Sequence, residues 1–195
     1  VFLPGSLLPL HVFEPRYRAL VADVMDGSGL FAVPQLAPGW ESRAGGSPAV
    51  HEVAGLGQIV RHQPLDEGRC NLILYGIGRV RIVSEAPVDT PYRQVRAQLL
   101  ADRRPGDATL ARLVSEVQAL GAGLVTVQAE LAGALARVAE GRKDPLAYLD
   151  TVAHLVLTTP DARQAWLDED DVEVRTALVQ AALASLLAGA ASVEA

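Results

Sequence analysis

Hydrophobic residues change their spacing once along this chain, near position 105. Before that point they alternate or run in short bursts, a pattern that predicts strands. LFAVPQL (30–36) is short and β-rich, and Pro34 near its end marks an edge or a bulge. A strand is expected around Leu56–His62, ended by the turn-like LDEG at 65–68. In CNLILYGIGRVRIVSE, Leu72 and Leu74 face one way and Ile73, Tyr75 and Ile77 the other, so both sides are expected to be covered. Gly76 and Gly78 interrupt this run, as where a strand bends at a barrel corner. YRQVRAQLL resumes the alternation, with Val95, Ala97 and Leu99 on one face. One helix is inserted early. Pro15 suits its first turn, and Tyr17, Leu20, Val21 and Val24 make one buried stripe. Gly27 and Gly29 stop it.

After Arg103-Arg104-Pro105-Gly106 the period becomes helical. From Leu110 to Val138 the apolar residues follow a three-to-four spacing over about eight turns. Gly121 and Gly123 fall inside the pattern, which fits either one long helix with a weak centre or a helical hairpin. Asp144 before Pro145, and Thr159 before Pro160, read as N-caps of two further helices. Asp170, with Glu173 three residues on, is expected to cap the last. The fold class is therefore α+β: a β pseudo-barrel with one inserted helix over 1–104, then an α-helical bundle over 105–195.

Composition narrows the function. The 195 residues are half hydrophobic, enough for a substantial core, and no apolar run approaches a membrane span. The chain opens on Val1, so it is expected to begin inside a longer sequence, and an upstream targeting segment stays open. Cys70, the single cysteine, removes intrachain disulfides and cysteine-rich zinc sites; inside CNLILY it reads as a buried, inert thiol, and a reducing cytoplasm fits. Residues 1–105 hold 11 basic and 10 acidic side chains, residues 106–195 only 6 against 13. Such a balance repels a phosphate backbone, so nucleic acid is a poor partner.

Specific residues now carry a resemblance. PGSLLPLHVFEPRYRALVADVM resembles the start of the substrate-binding domain of Lon proteases, and in particular stand-alone bacterial proteins that carry that domain alone. GLGQIVRHQPLDEGRCNLILYGIGRVRIVSEA and the PYR at 91–93 continue the likeness. Its family motif falls on Glu14, Pro15, Arg16, Tyr17, Gly76, Gly78 and Arg79. LDTVAHLVL, RQAWLDEDD and Arg175 resemble the family's helical half. The resemblance implies a PUA-like pseudo-barrel followed by helices, and a module that binds polypeptides. In the family a strand, often L-P-L-F-P-L, precedes the residues matching Val1–Pro4; its absence suggests a truncated start, and a barrel truly lacking it would have an open edge.

Enzymatic chemistry finds little footing. No G-x-x-x-x-G-K-[ST] stretch is present to cradle ATP phosphates, and Lon's serine–lysine protease domain has no counterpart. A Lon-peptidase label would describe ancestry. The one lysine, Lys143, reads as a solvated residue before a helix. His11, His51, His62 and His154 form no zinc-binding pair, and no cofactor is expected. Ser6, near His11 and Glu14 in sequence, is the one serine a minor hydrolase would use.

The cluster HVFEPRYRAL reads as a helix-start anchor. Glu14 suits the helix dipole and can meet Arg18, Phe13 and Tyr17 can pack on the barrel, and Arg16→Ala should chiefly lower stability. The better binding candidate is the preceding loop, at Leu7, Leu8 and Pro9, in a segment too proline-rich for a central strand. Trp40 or Trp166 at a barrel–bundle junction is a second candidate. The expected function is non-catalytic protein binding, with unfolded or degron-like segments or a partner protein as ligand. An RNA-binding PUA-like module is the alternative. Self-association through the apolar seam at 110–138 competes with an intramolecular bundle as the reason for that seam.

Overall fold

A computed structural model of the chain describes residues 1–40, 48–142 and 144–191; Lys143 lies outside them. The chain divides into two compact units, Val1–Leu100 and Ala101–Ala195.

The first unit is built on one five-stranded antiparallel sheet. Its strands are β1 (Leu7–Val12), β2 (Leu30–Val33), β3 (Val53–Pro64), β4 (Cys70–Glu85) and β5 (Val95–Leu100). They follow the order β1-β4-β3-β2, with β5 also on β4. The long β4 takes β1 along residues 70–75 and β5 along residues 79–85, while β3 runs beside nearly all of it. Glu67 and Gly68 make the β3–β4 turn with positive φ, 60° and 71°. Helix α1 (Pro15–Met25) follows β1 and buries Val21. Phe2, Val12, Val21, Cys70, Leu72 and Leu74 form the core, with Leu8, Leu10, Leu20 and Phe31 packed against it. Burial pushes the Cys70 thiol pKa up, as suits an inert side chain.

Three expectations change here. Leu7–Pro9, expected in a loop, lie in β1; it is an end strand of the sheet path rather than a central one, and such a strand tolerates Pro9. Gly76 marks a crossing peptide. Phe2, Leu3, Pro4 and Ser6 are buried, and a Cβ at Gly76 would lie 2.3 Å from the Leu3 carbonyl oxygen; one at Gly55 would lie 2.0 Å from that of Phe2. Backbone hydrogen bonds from Gly5 N to Gly76 O (2.8 Å) and from Gly76 N to Ser6 O (3.0 Å) fasten the crossing. A Cβ at Gly78, by contrast, would meet only Leu99 Cδ1 at 3.7 Å. Third, the two faces of β4 are unequal: Leu72 and Leu74 are buried, Ile73 and Tyr75 half-buried, and Ile77 exposed. On β5, Ala97 and Leu99 are exposed.

The second unit holds five helices among the described residues: α2 (Asp107–Gly123), α3 (Ala129–Gly141), α4 (Pro145–Val156), α5 (Pro160–Asp168) and α6 (Val172–Ala191). The apolar seam is a hairpin. It breaks at a 3-10 turn over Leu124–Thr126, and α3 returns against α2, with Leu135 Cδ1 3.1 Å from where a Gly121 Cβ would stand. Asp144 caps α4 through Ala147 N (2.9 Å), and Thr159 caps α5 through Ala162 N (3.2 Å). The α6 cap is Asp171 rather than Asp170: its Oδ1 accepts from Glu173 N (2.8 Å) and Val174 N (3.2 Å).

By length and composition Val172–Gly189 of α6 would suffice to cross a membrane, a property the run-length reading missed. Leucines and valines carry most of that hydropathy. In this fold α6 buries Val172, Thr176, Val179 and Leu183 as a stripe at helical spacing. Arg175, 1% exposed, joins them. Its guanidinium reaches Asp102 at 2.6 Å and Asp150 at 3.6 Å and lies 5.0 Å from the centre of the Trp166 ring. Trp166 Nε1 donates to Asp150 (3.0 Å). Trp166 is fully buried in this network, so it is core and offers a ligand no surface.

Candidate functional site

Alternation along β1 sorts its side chains. Leu8, Leu10 and Val12 point into the core, whereas Leu7, Pro9 and His11 point outward and are exposed, with Phe13 following. Of the predicted loop residues, then, Leu7 (59% exposed) and Pro9 stand on the surface and Leu8 does not. Antiparallel register places Tyr75 opposite Leu7, Ile73 opposite Pro9 and Asn71 opposite His11, on the same outward face. The result is an apolar row two strands wide. On its β3 side lie the polar Gln58 and Arg61, partners of Tyr75 and Ile73. Val60 stands out between them at a register shift, 55% exposed.

The helix start closes one end of the row. Phe13, 60% exposed, stacks on His11 with ring centroids 6.0 Å apart, and His11 Nδ1 lies 2.7 Å from Asn71 Oδ1. Phe13 and Tyr17 therefore do not pack on the barrel as expected; both face solvent. Arg16 lies over the Tyr17 ring at 4.6 Å and donates through Nε to Glu14 (2.9 Å). Glu14 thus pairs with Arg16 rather than Arg18. A pair so exposed, two residues apart, holds nothing distant together. Arg18 is the residue that reaches across: its guanidinium donates to the Glu67 carbonyl in the β3–β4 turn.

The remaining motif residues serve the frame. Gly76 admits the crossing peptide, and Arg79 is buried in β4. Within PYR, the Tyr92 hydroxyl donates to Asp23 on α1, a bond that raises the phenol pKa, and Arg93 donates to the Pro48 carbonyl (2.8 Å) and to Glu85. Ser6 is buried, with its hydroxyl donating to the Leu3 carbonyl at 2.6 Å. Among the described residues no group of three or more His, Cys, Asp or Glu side chains is placed to hold a metal ion. What this surface offers is non-covalent contact: an apolar strip with polar and aromatic edges.

Known proteins share this architecture. The family model for the ATP-dependent protease La (LON) substrate-binding domain matches residues 1–185. Lon protease 2 of Myxococcus xanthus is 27% identical over 187 residues, covering 92% of this chain and 22% of that protein. The Lon protease of Desulfosudis oleivorans is 24% identical over 175 residues, 90% of this chain and 21% of that protein. The chain thus spans about a fifth of the length of these curated relatives. Among solved structures, the N-terminal domain of the Mycobacterium avium complex Lon protease superposes with a TM-score of 0.71 at 18% identity, covering 94% of this chain and 92% of that one. A Lon N-terminal domain protein from Xanthomonas campestris gives 0.54 at 22% identity, covering 96% and 92%.

Proposed function

This chain belongs to the Lon substrate-binding domain family, and from that premise we propose that it is a non-catalytic module that binds polypeptide segments on the outward face of β1 and β4. Its ligands are unfolded or degron-like stretches, or a partner protein exposing such a stretch. The observation that carries this reading is the row of Leu7, Pro9, Ile73 and Tyr75, continued by the aromatic ring of Phe13. Contiguous apolar surface of this kind, rimmed by polar groups, suits contact with another protein's hydrophobic side chains. The rim of His11, Asn71, Gln58 and Arg61 offers hydrogen bonds at the edges of such a contact.

A binding assay with a permanently unfolded model protein tests it. Leu7→Ser and Phe13→Ser alter side chains that are mostly in solvent, so the fold should survive both. The double variant should bind at least about tenfold more weakly, as when a hot spot is truncated. Val174→Ser on the exposed face of α6 is the control and should bind as wild type does. No binding by wild type, or equal binding by the double variant, would overturn the reading. Retention of RNA that weakens steeply with salt would favour the alternative module.

A further inference from the structure

Two of the residues that follow Leu100, Asp102 and Arg103, are docked on the helical unit. Arg103 N donates to the Asp170 carbonyl (2.8 Å), and the Arg103 carbonyl accepts from Val172 N (3.2 Å), a parallel bridge at the entry to α6. The Arg103 side chain reaches Asp170 at 3.5 Å and Asp171 at 3.2 Å. One residue earlier, Asp102 turns inward to the buried Arg175.

The inner and outer halves of this attachment differ in kind. Outside, the Arg103 ion pairs are solvated and weak. Inside, Asp102 meets a buried guanidinium that has two other supports, the Asp150 carboxylate and the Trp166 ring. If Asp102 leaves, Arg175 keeps a counter-charge and an aromatic face, so the usual penalty for stranding a buried charge is reduced. The Nε of Arg175 has no hydrogen-bond partner, so its charge leans on these carboxylates.

We infer that residues 101–104 form a strap, latched through Asp102 to Arg175, that releases as a piece while α4, α5 and α6 stay packed. Docked, it holds the peptide leaving β5 against the start of α6. Released, residues 101–106 become free tether, up to about 20 Å of extended chain. The strap is therefore a conformational device within the second unit that covers or frees the peptide leading into α2.

Limited trypsin digestion of the full chain reads the latch directly. Trypsin cuts after arginine but not before proline, so Arg103–Arg104 is the reporter bond and Arg104–Pro105 is silent. Wild type should be cut there slowly. Asp102→Asn should be cut at least tenfold faster, with an unchanged helical circular-dichroism signal and no matching acceleration at Arg112 or Arg163 inside the helices. Asp171→Asn removes one surface partner of Arg103 while asparagine still caps α6, and should give a smaller acceleration of about threefold. Wild-type rates in both variants would overturn the inference. So would acceleration at the helical bonds by the same factor, because the bundle would then be opening as a whole.

Discussion

Replacing Gly76 by alanine would place a methyl group 2.3 Å from the Leu3 carbonyl oxygen and 3.0 Å from Pro4 Cα. Both are backbone atoms, so no side-chain rotation relieves the contact; the crossing peptide itself has to move. Phe2 and Leu3 are 4% and 0% exposed, and each contributes about 1.5–3 kcal/mol by burial. Lifting them out of the core would cost about 3–6 kcal/mol, and a partial shift about half of that. Set against a typical domain stability of about 5–15 kcal/mol, even the smaller loss is easily measured. Gly78→Ala is the internal comparison, since its nearest neighbour would be at an ordinary 3.7 Å. It should change stability by less than about 1 kcal/mol, in the stabilising direction if the smaller entropy of the unfolded chain dominates. Urea titration followed by circular dichroism gives both values from the midpoints and slopes. A Gly76→Ala variant within about 0.5 kcal/mol of wild type, or a Gly78→Ala variant equally damaged, would refute the crossing-peptide explanation.

Two further outcomes follow from the geometry. Arg16→Ala should leave stability within about 0.5 kcal/mol of wild type, because its pair with Glu14 is exposed and local, whereas Arg18→Ala should lower it by about 1 kcal/mol through loss of the Glu67 carbonyl contact; the ranking of their urea midpoints decides. The second outcome concerns pH. Burial, with Arg163 nearby, holds the His154 pKa below its usual 6.5, and its Nδ1 has no partner. The unfolded chain then takes up that proton first, so stability is full above about pH 6.5 and falls as the pH drops toward the lower folded value. Asp171, held low mainly by Val174 N–H, adds its own loss only below about pH 4. Urea midpoints at pH 7.5 and 5.5 should therefore differ in wild type and differ less in His154→Gln; an identical difference in both would remove His154 from the account.

Much of the architecture was legible because its causes are local. The caps at Asp144 and Thr159 each lie beside a proline that fixes the helix entry, and the structure has both in place. The change from alternating to helical spacing separated sheet from helices for the same reason. At the α6 cap two adjacent aspartates offer the same chemistry, both pair with Arg103, and only the backbone path into the helix puts the Asp171 carboxylate on the Glu173 and Val174 N–H groups. Proline content hid β1, since a strand on one end of a sheet needs fewer backbone donors than a central one. The role of Gly76 was invisible because nothing nearby in sequence says that Leu3 will pass over it.

The candidate site was legible only in part. Leu7 and Pro9 stand where an apolar surface was expected, but Leu8 belongs to the core, a distinction that strand alternation makes and a loop reading cannot. Ile73 and Tyr75 were missed as surface residues because their strand read as covered on both faces, and Val60 because no facing could be assigned within its strand. The signal that could have found them is the bulge and the register, both of which are tertiary facts. Arg175 was singled out by family likeness alone. Its partner Asp102 is 73 residues away, so no local pattern joins them.

Hydrogen–deuterium exchange of the full chain, alone and saturated with an unfolded polypeptide, tests the binding face most directly. Protection should concentrate in residues 7–13 and 71–77, which carry the outward row of β1 and β4. Unchanged exchange in both segments, with protection appearing only in α2 to α6, would contradict it.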